Sequence, residues 1–216
     1  MKNLIIIGAR GYGRGTYDIA LSMTEYGSEF VVKGYLDDKE DALNNFSGYP
    51  PILSSVEDYQ IEKDDVFICA LGDVKYKKKY INIILAKGGE FFTLVHSAAS
   101  IGKNVKIGKG CIIGAGSFID CDAVIGDFVN IQMNAVIGHD SIIGDWSMID
   151  CFAFTGGFAR IGEGVTLHTR ATIIPKLEVG DYAVVNACSL CIRKVKPNSV
   201  MLGNPAKELL IPQVNK

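Results

Sequence analysis

The sequence predicts a Rossmann-like α/β domain over residues 1–94, a left-handed parallel β-helix over residues 95–196, and a tail over 197–216. Three observations carry this reading. Up to residue 94, short apolar runs alternate with helix-forming stretches. From Val95 onward an aliphatic residue recurs at every sixth position. The same second half is rich in Ile, Val, Ala and Gly and poor in helix formers. A period of six fits neither the 3.6 of a helix nor the 2 of a flat strand, and it is the signature of a hexapeptide solenoid.

The elements follow in order. Residues 4–8 form a continuous apolar run ending in Gly8, as a buried parallel strand requires. The run is too short for a secretory signal core, and no other run approaches the length of a membrane span, so a cytoplasmic protein is expected. The glycine-rich turn Gly8-Ala9-Arg10-Gly11-Tyr12-Gly13-Arg14-Gly15 opens a helix expected over 11–26. A second strand is expected over 30–36, followed by Asp37-Asp38. A third strand at 65–72, a helix at 74–87 and a strand at 91–95 complete the domain. Strands alternating with helices make a small parallel sheet.

Counting in sixes from Val95, 15 of the 17 first positions through Cys191 are Ile, Leu or Val. The fifth positions are small or Val at every hexad except Leu177. Gly follows a first-position Ile seven times. Three hexads close one triangular coil, so the first residue points inward and the fifth fits near a corner. Seventeen hexads give between five and six coils, about 27 Å tall at the usual strand spacing. The phase is constant through residue 196, so no long insertion is expected. The tail carries Pro197, Pro205 and Pro212, and a short helix is expected over 206–210.

Composition narrows the function. The chain of 216 residues is 48% hydrophobic and 21% charged, with a net charge of −2. That is an ordinary globular balance. It argues against a broad basic face for nucleic acid and against a polybasic membrane anchor. Six cysteines in a chain of this length are read as reduced thiols, and Cys188-x-x-Cys191 has no second pair to complete a metal site.

The glycine-rich turn exposes backbone N–H groups at a helix start, where phosphate binds well. Arg10 or Arg14 adds charge, and Asp37 and Asp38 stand where a Rossmann domain holds a ribose. The spacing is not that of a dinucleotide fingerprint, and the domain is too short for two mononucleotide halves. Nucleotide or nucleotide-sugar binding, intact dinucleotide binding and a purely structural turn all remain open at this point. The run Lys75, Lys77, Lys78 and Lys79 reads as a solvated helix face or as a phosphate contact.

In the solenoid, His139 is the third residue of its hexad and faces outward. An imidazole takes a proton near neutral pH. Residues 18 apart stack in one file, so His139 lies between Cys121 and Gly157. Gly157 falls where the aliphatic repeat lapses at Thr155-Gly156-Gly157, and a glycine there lets a ligand approach the backbone closely. The Gly156-Gly157 pair reads either as a plain solenoid corner or as a backbone N–H able to hold developing negative charge. His168 and His96 read as a solvated corner and a structural junction residue.

Several motifs together resemble the sialic-acid O-acetyltransferase-like sugar acyltransferases. This family includes N-acetyltransferases of UDP-linked 4-amino-sugars in bacterial glycan synthesis. The motifs are Ile7-Gly8-Ala9-x-Gly11-x-Gly13, Leu36-Asp37-Asp38, Ala70-Leu71-Gly72, Val136-Ile137-Gly138-His139-Asp140-x-x-Ile143-Gly144, and Gly203-Asn204-Pro205-Ala206-Lys207. The resemblance implies a homotrimer with acetyl-CoA between neighbouring prisms and direct acetyl transfer, His139 acting as general base and Asp140 supporting it. It implies coenzyme contacts at Met148, Gly157, Thr169 and Ala187, and nucleotide-sugar contacts at Arg10, Gly11, Tyr12, Asp37, Asp38 and Gly72, with no metal. Tyr12, Gln132, Met148 and Ala187 depart from the residues common in the family. The rival readings are a sugar O-acetyltransferase, a zinc-dependent β-helix enzyme using His96, His139 and His168, and a non-catalytic binding module.

Overall fold

The computed structural model describes residues 1–209. The chain divides into two compact units. The first comprises 1–99 with 108–115, and the second comprises 100–107 with the described chain from 116 onward.

In the first unit β1 (Lys2–Ile7), β2 (Phe30–Leu36), β3 (Ile52–Ser54), β4 (Asp65–Cys69) and β5 (Glu90–Phe91) form one parallel sheet in the order β3-β2-β1-β4-β5. Leu4 to Ile7 are fully buried because the central strand of a parallel sheet is covered on both faces. The helix α1 (Gly11–Ser22) follows β1, and α2 (Val74–Ala86) follows β4. The chain leaves β1 for β2 on one side and returns to β4 on the other, so the sheet has a topological switch point between β1 and β4. Ligands of open α/β sheets bind outside the carboxyl ends of the strands at that point.

Several details differ from the sequence reading; the strand expected over 65–72 already ends at Cys69. α1 stops at Ser22 rather than residue 26, and Met23 is already extended while its N–H returns to the Ala20 carbonyl. β3 was not foreseen, being three residues long and without an alternating pattern. The stretch 91–95 is divided between β5 and a separate strand at Leu94–Val95, which pairs with Ile112–Ile113. Leu94 and Ile112 join the core of the first unit beside Phe30 and Val32, which explains why 108–115 groups with that unit.

The second unit is a parallel solenoid with three faces. One face stacks strands at 100–101, 118–119, 136–137, 154–155, 172–173 and 190–191. The next stacks 106–107, 124–125, 142–143, 160–161 and 178–179. In this unit the third stacks 130–131, 148–149, 166–167, 184–185 and 200–202, with 207–208 added antiparallel. Partners such as Ile119 and Ile137, or Ile125 and Ile143, are one 18-residue coil apart. First-position residues from Ile119 to Cys191 are buried, as are fifth-position residues from Ala123 to Ala183. Corner residues at the fourth hexad position, from Asn104 to Cys188, take positive φ, with Asp140 at 56° and Phe158 at 60°.

The constant phase breaks once. Ile173 pairs with Cys191, but Val179 bridges to Val195 and Val184 pairs with Val200, so the last coil is two residues short. The helix expected over 206–210 is replaced by the strand Lys207–Glu208 wherever the chain is described; Leu210 and Pro212 lie outside the described residues. No helix among the described residues is long and apolar enough to cross a membrane.

Thr155 occupies an interior first position between Ile137 and Ile173, and its buried Oγ1 has no hydrogen-bond partner. Replacing Thr155 with Val removes that orphan at nearly constant shape. The expected result is a gain of about 1 kcal/mol in unfolding free energy, and a rise of roughly 2–4 °C in the thermal midpoint. Differential scanning calorimetry checks it, and an unchanged or lowered midpoint would count against the interior placement of that hydroxyl.

Candidate functional site

The first unit holds a cavity of about 610 Å³ at the carboxyl ends of β1, β2 and β4. Its lining includes Arg10, Tyr12, Asp37, Asp38 and Gly72, five of the six residues expected to meet a nucleotide-sugar. Gly11, the sixth, is the exposed first residue of α1 and does not line it. The glycine-rich turn explains itself sterically. Gly8 has φ +96°, and a Cβ on Gly13 would stand 1.8 Å from the Gly8 carbonyl oxygen, so α1 packs directly on the end of β1.

Asp37 ties this turn to β2. Its Oδ2 accepts from the Ala9 N–H at 2.8 Å and its Oδ1 from the Lys39 N–H at 2.9 Å. One Asp37 oxygen thus fixes the loop that forms the cavity floor. Asp38 is engaged differently, accepting from the Tyr80 hydroxyl at 2.6 Å. That bond, followed by partial burial, pushes the Tyr80 phenol up to about 12.

Tyr76, Tyr80 and Asp73 also line the cavity and were not singled out from the sequence. Asp73 caps α2 by accepting from the Lys75 and Tyr76 N–H groups. The i, i+4 spacing of Tyr76 and Tyr80 sets both on one face of α2, a signal present in the sequence. None of the lysines at 75, 77, 78 and 79 is part of the lining. The solvated-face reading fails for Lys77, which is 1% exposed and whose ammonium is pushed down to about 8 by burial. Lys79 pairs with Glu57 at 2.8 Å.

The second unit brings His139, Asp140 and Gly157 together at one corner. The His139 Nδ1 and Asp140 Oδ2 are 2.8 Å apart. In the neutral imidazole Nδ1–H donates to the carboxylate, which leaves the Nε2 lone pair outward. The file expected from the 18-residue period is present. The Asp140 N–H donates to the Cys121 carbonyl, and the Phe158 N–H donates to the His139 carbonyl at 2.8 Å. A Cβ placed on Gly157 would lie 2.5 Å from the His139 Nε2, so the imidazole rests directly over a bare backbone. Phe158 meets the ring edge-on, with centroids 5.1 Å apart. His139 and Asp140 side chains are each nearly half exposed.

The other solenoid residues lie elsewhere. Thr169 and Ala187 are exposed at a different corner, and Met148 is 2% exposed on the third face. At the Thr169 corner the sequence reading missed a second arrangement. The His168 Nδ1 is 2.9 Å from the Asp150 Oδ2, and the Asp150 Oδ1 accepts from the Gln132 Nε2 at 2.9 Å. The 18-residue spacing of Gln132, Asp150 and His168 was the available signal. Among the described residues no group of three or more His, Cys, Asp or Glu is arranged to hold a metal ion.

Comparison with known proteins finds a match in each part of the chain. Residues 3–84 match the family model of the PglD N-terminal domain, and residues 122–157 match that of the bacterial transferase hexapeptide (six repeats). A segment of 119 residues is 29% identical to the UDP-N-acetylbacillosamine N-acetyltransferase of Bacillus subtilis, covering 53% of this chain and 52% of that protein. A segment of 115 residues is 34% identical to serine acetyltransferase 4 of Arabidopsis thaliana, covering 52% of this chain and 28% of that protein. The chain thus matches about half the length of the bacterial relative and less of the plant one.

Among solved structures, the acetyltransferase domain of PglB from Neisseria gonorrhoeae superposes with a TM-score of 0.87 at 24% identity, over 97% of this chain and 100% of that one. PerB from Caulobacter crescentus, solved with CoA and GDP-perosamine, superposes with a TM-score of 0.85 at 22% identity, over 97% of this chain and 98% of that one. Residues 3–84 are thus similar to the PglD N-terminal domain, and residues 122–157 to the hexapeptide repeat of bacterial transferases.

Proposed function

We propose that the protein is an acetyl-CoA-dependent N-acetyltransferase of a nucleotide-linked amino-sugar, working in the cytoplasm in bacterial surface-glycan synthesis. The observation that carries this is the His139 Nε2, oriented by Asp140 and poised over Gly157 on a hexapeptide solenoid. The acceptor amine attacks the thioester carbonyl carbon while Nε2 takes the ammonium proton. The Gly157 N–H, which donates to no other group among the described residues, holds the carbonyl oxygen as charge develops on it. The C–S bond then breaks and the imidazolium returns the proton to the departing thiolate, so one residue serves both steps.

On this reading residues 1–94 hold the acceptor nucleotide, with Arg10, Tyr12, Asp38 and Gly72 around the 610 Å³ cavity. Residues 95–196 hold the coenzyme. A homotrimer is supported by exposed apolar residues on the two faces beside the His139 corner: Phe118, Val124, Ile142 and Phe154 are each about 40% exposed. Patches of this kind mark interfaces. The B. subtilis relative and the Caulobacter protein with its GDP-sugar favour a nucleotide-linked amine as acceptor. The test is acetyl-CoA turnover against a panel of UDP-, GDP- and TDP-linked 4-amino-sugars. Acetylation of the amine of at least one is expected; transfer only to sugar hydroxyls, or to nothing, would overturn the proposal.

A further inference from the structure

Two imidazoles of this chain are oriented in the same way, and the function proposed above uses one of them. At His139 the Nδ1 meets the carboxylate of the next residue; at His168 it meets Asp150, one coil below, at 2.9 Å. Asp150 is the better held of the two carboxylates. Its side chain is 19% exposed against 42% for Asp140. Its Oδ1 takes a second bond from the Gln132 amide, whose Oε1 accepts from the Cys151 thiol at 3.3 Å. A carboxylate fixed in this way keeps the neutral imidazole protonated at Nδ1 and leaves the Nε2 lone pair on the far side of the ring. The other titratable groups at that corner are Arg170, over the Phe152 ring, and the Cys151 and Cys188 thiols.

The two dyads stand at opposite edges of one solenoid face. That face carries the strands at 118–119, 136–137, 154–155 and 172–173, and the chain turns off it at 138–140 and onto it at 168–170. Apolar side chains cross it from edge to edge. Met133 and Phe152 lie at the His168 corner, Phe118 and Phe154 on the face and Phe158 at the His139 corner, all at least 40% exposed. A threefold ring with that band at its centre is heterologous, so the His139 edge of one protomer meets the His168 edge of the next. Rotation about an axis parallel to the solenoid leaves heights unchanged. At about 4.8 Å per 18-residue coil, Asp150 then stands roughly 3 Å and His168 roughly 8 Å along the axis from His139.

The reaction leaves a proton to place. An alkylammonium acceptor is charged at neutral pH, and the balance is R–NH3+ + CH3–CO–S–CoA → R–NH–CO–CH3 + CoA–SH + H+. The C–N bond forms, the C–S bond breaks, and nothing is oxidised or reduced. Nitrogen sheds two protons. His139 carries one from nitrogen to sulfur, and the other must leave before the nitrogen can attack. Resting on the acetyltransferase and trimer readings above, we infer that His168 of the partner subunit takes this first proton from the bound ammonium, through a bridging water, and passes it to solvent. Asp150 is its positioning residue.

The pH dependence of kcat/KM for the acceptor tests this in wild type, His168→Ala, Asp150→Asn and His139→Ala. At pH 7 His168→Ala is expected to lose at least about tenfold, and Asp150→Asn a smaller part of that. Near pH 9.5 the acceptor arrives as the free amine, so the deficit of His168→Ala should shrink to less than about twofold while that of His139→Ala persists. A structural role would leave the deficit alike at both. Wild-type activity of His168→Ala at pH 7, or a deficit that rising pH does not narrow, would overturn the inference. Coexpression of His139→Ala with His168→Ala tests the pairing across subunits. A mixed trimer holds one intact His139–His168 pair among its three sites, so about a third of wild-type activity is expected at pH 7. Activity no higher than that of the two parent variants would overturn the pairing. A wild-type protein that turns over no acetyl-CoA, or that is not a trimer, would overturn the readings beneath and this inference together.

Discussion

Replacing His139 with Ala is expected to lower turnover by about a thousandfold, the range a positioned general base contributes, while leaving the fold untouched. The side chain is nearly half exposed, with Asp140 as its hydrogen-bond partner and Phe158 as its ring contact. Surface changes of that kind stay within about 0.5 kcal/mol. The thermal midpoint should therefore match wild type, and binding of acetyl-CoA should persist. Steady-state kinetics with the preferred acceptor separates the outcomes. A fall in kcat with KM for acetyl-CoA nearly constant is expected of a group that acts only on the moving proton. A variant retaining most of its activity would remove His139 from the mechanism. Loss of coenzyme binding would reassign it to holding the ligand.

The second large effect is expected at Gly157, by a different route. A Cβ there would sit 2.5 Å from Nε2, 2.7 Å from Cε1 and 2.9 Å from Cδ2 of His139, and it meets these atoms before any backbone. Gly157→Ala therefore leaves the solenoid standing but pushes the imidazole out of its seat and away from Asp140. The added methyl also occupies the space through which a thioester would approach. Activity should fall at least a hundredfold, as expected when a reacting group is misplaced by an ångström. Because both changes act on the same imidazole, the double variant His139→Ala/Gly157→Ala should be little worse than His139→Ala alone. Full additivity in kcat would mean that Gly157 acts independently of the histidine.

Much of the second unit was legible because a solenoid repeats its constraints. Each first position must fill the interior and each fifth must fit a corner, so the sequence states the same rule in every hexad. Stacking by 18 then placed His139 over Cys121 and under Gly157 without further information, and the files through Asp140 and Asn104 follow from it. The pairing of His139 with Asp140 was not derivable that way. It depends on a corner residue at φ 56°, a backbone state set by the turn and not by the hydrophobic period.

The first unit was less readable in its details. Gly8 and Gly13 declare the turn, and Asp37 declares the end of β2. The lysine run at 75–79 read as a solvated face or as a phosphate contact, yet Lys77 points into the protein beside Cys69 and Cys111. Burial of that ammonium depends on what α2 packs against, which no local window contains. Tyr80 was overlooked for the same reason, since its partner Asp38 lies 42 residues away. The shortened last coil was hidden because Val195 fits both the old phase and the new one.

The reversed strand at 207–208 has a consequence for colloidal behaviour. A stack of parallel coils ends in unpaired backbone donors and acceptors, and an open edge of that kind can template the addition of another chain. Here the strand Val200–Leu202 would be such an edge on the third face, but Lys207–Glu208 lies antiparallel against it, pairing Met201 with Glu208 and Leu202 with Lys207. An incoming coil would need a parallel partner in register and would meet a short, charged strand running the wrong way. On that face the repeat is finite by construction, and the same stacking that builds the prism is kept from becoming a route to fibres.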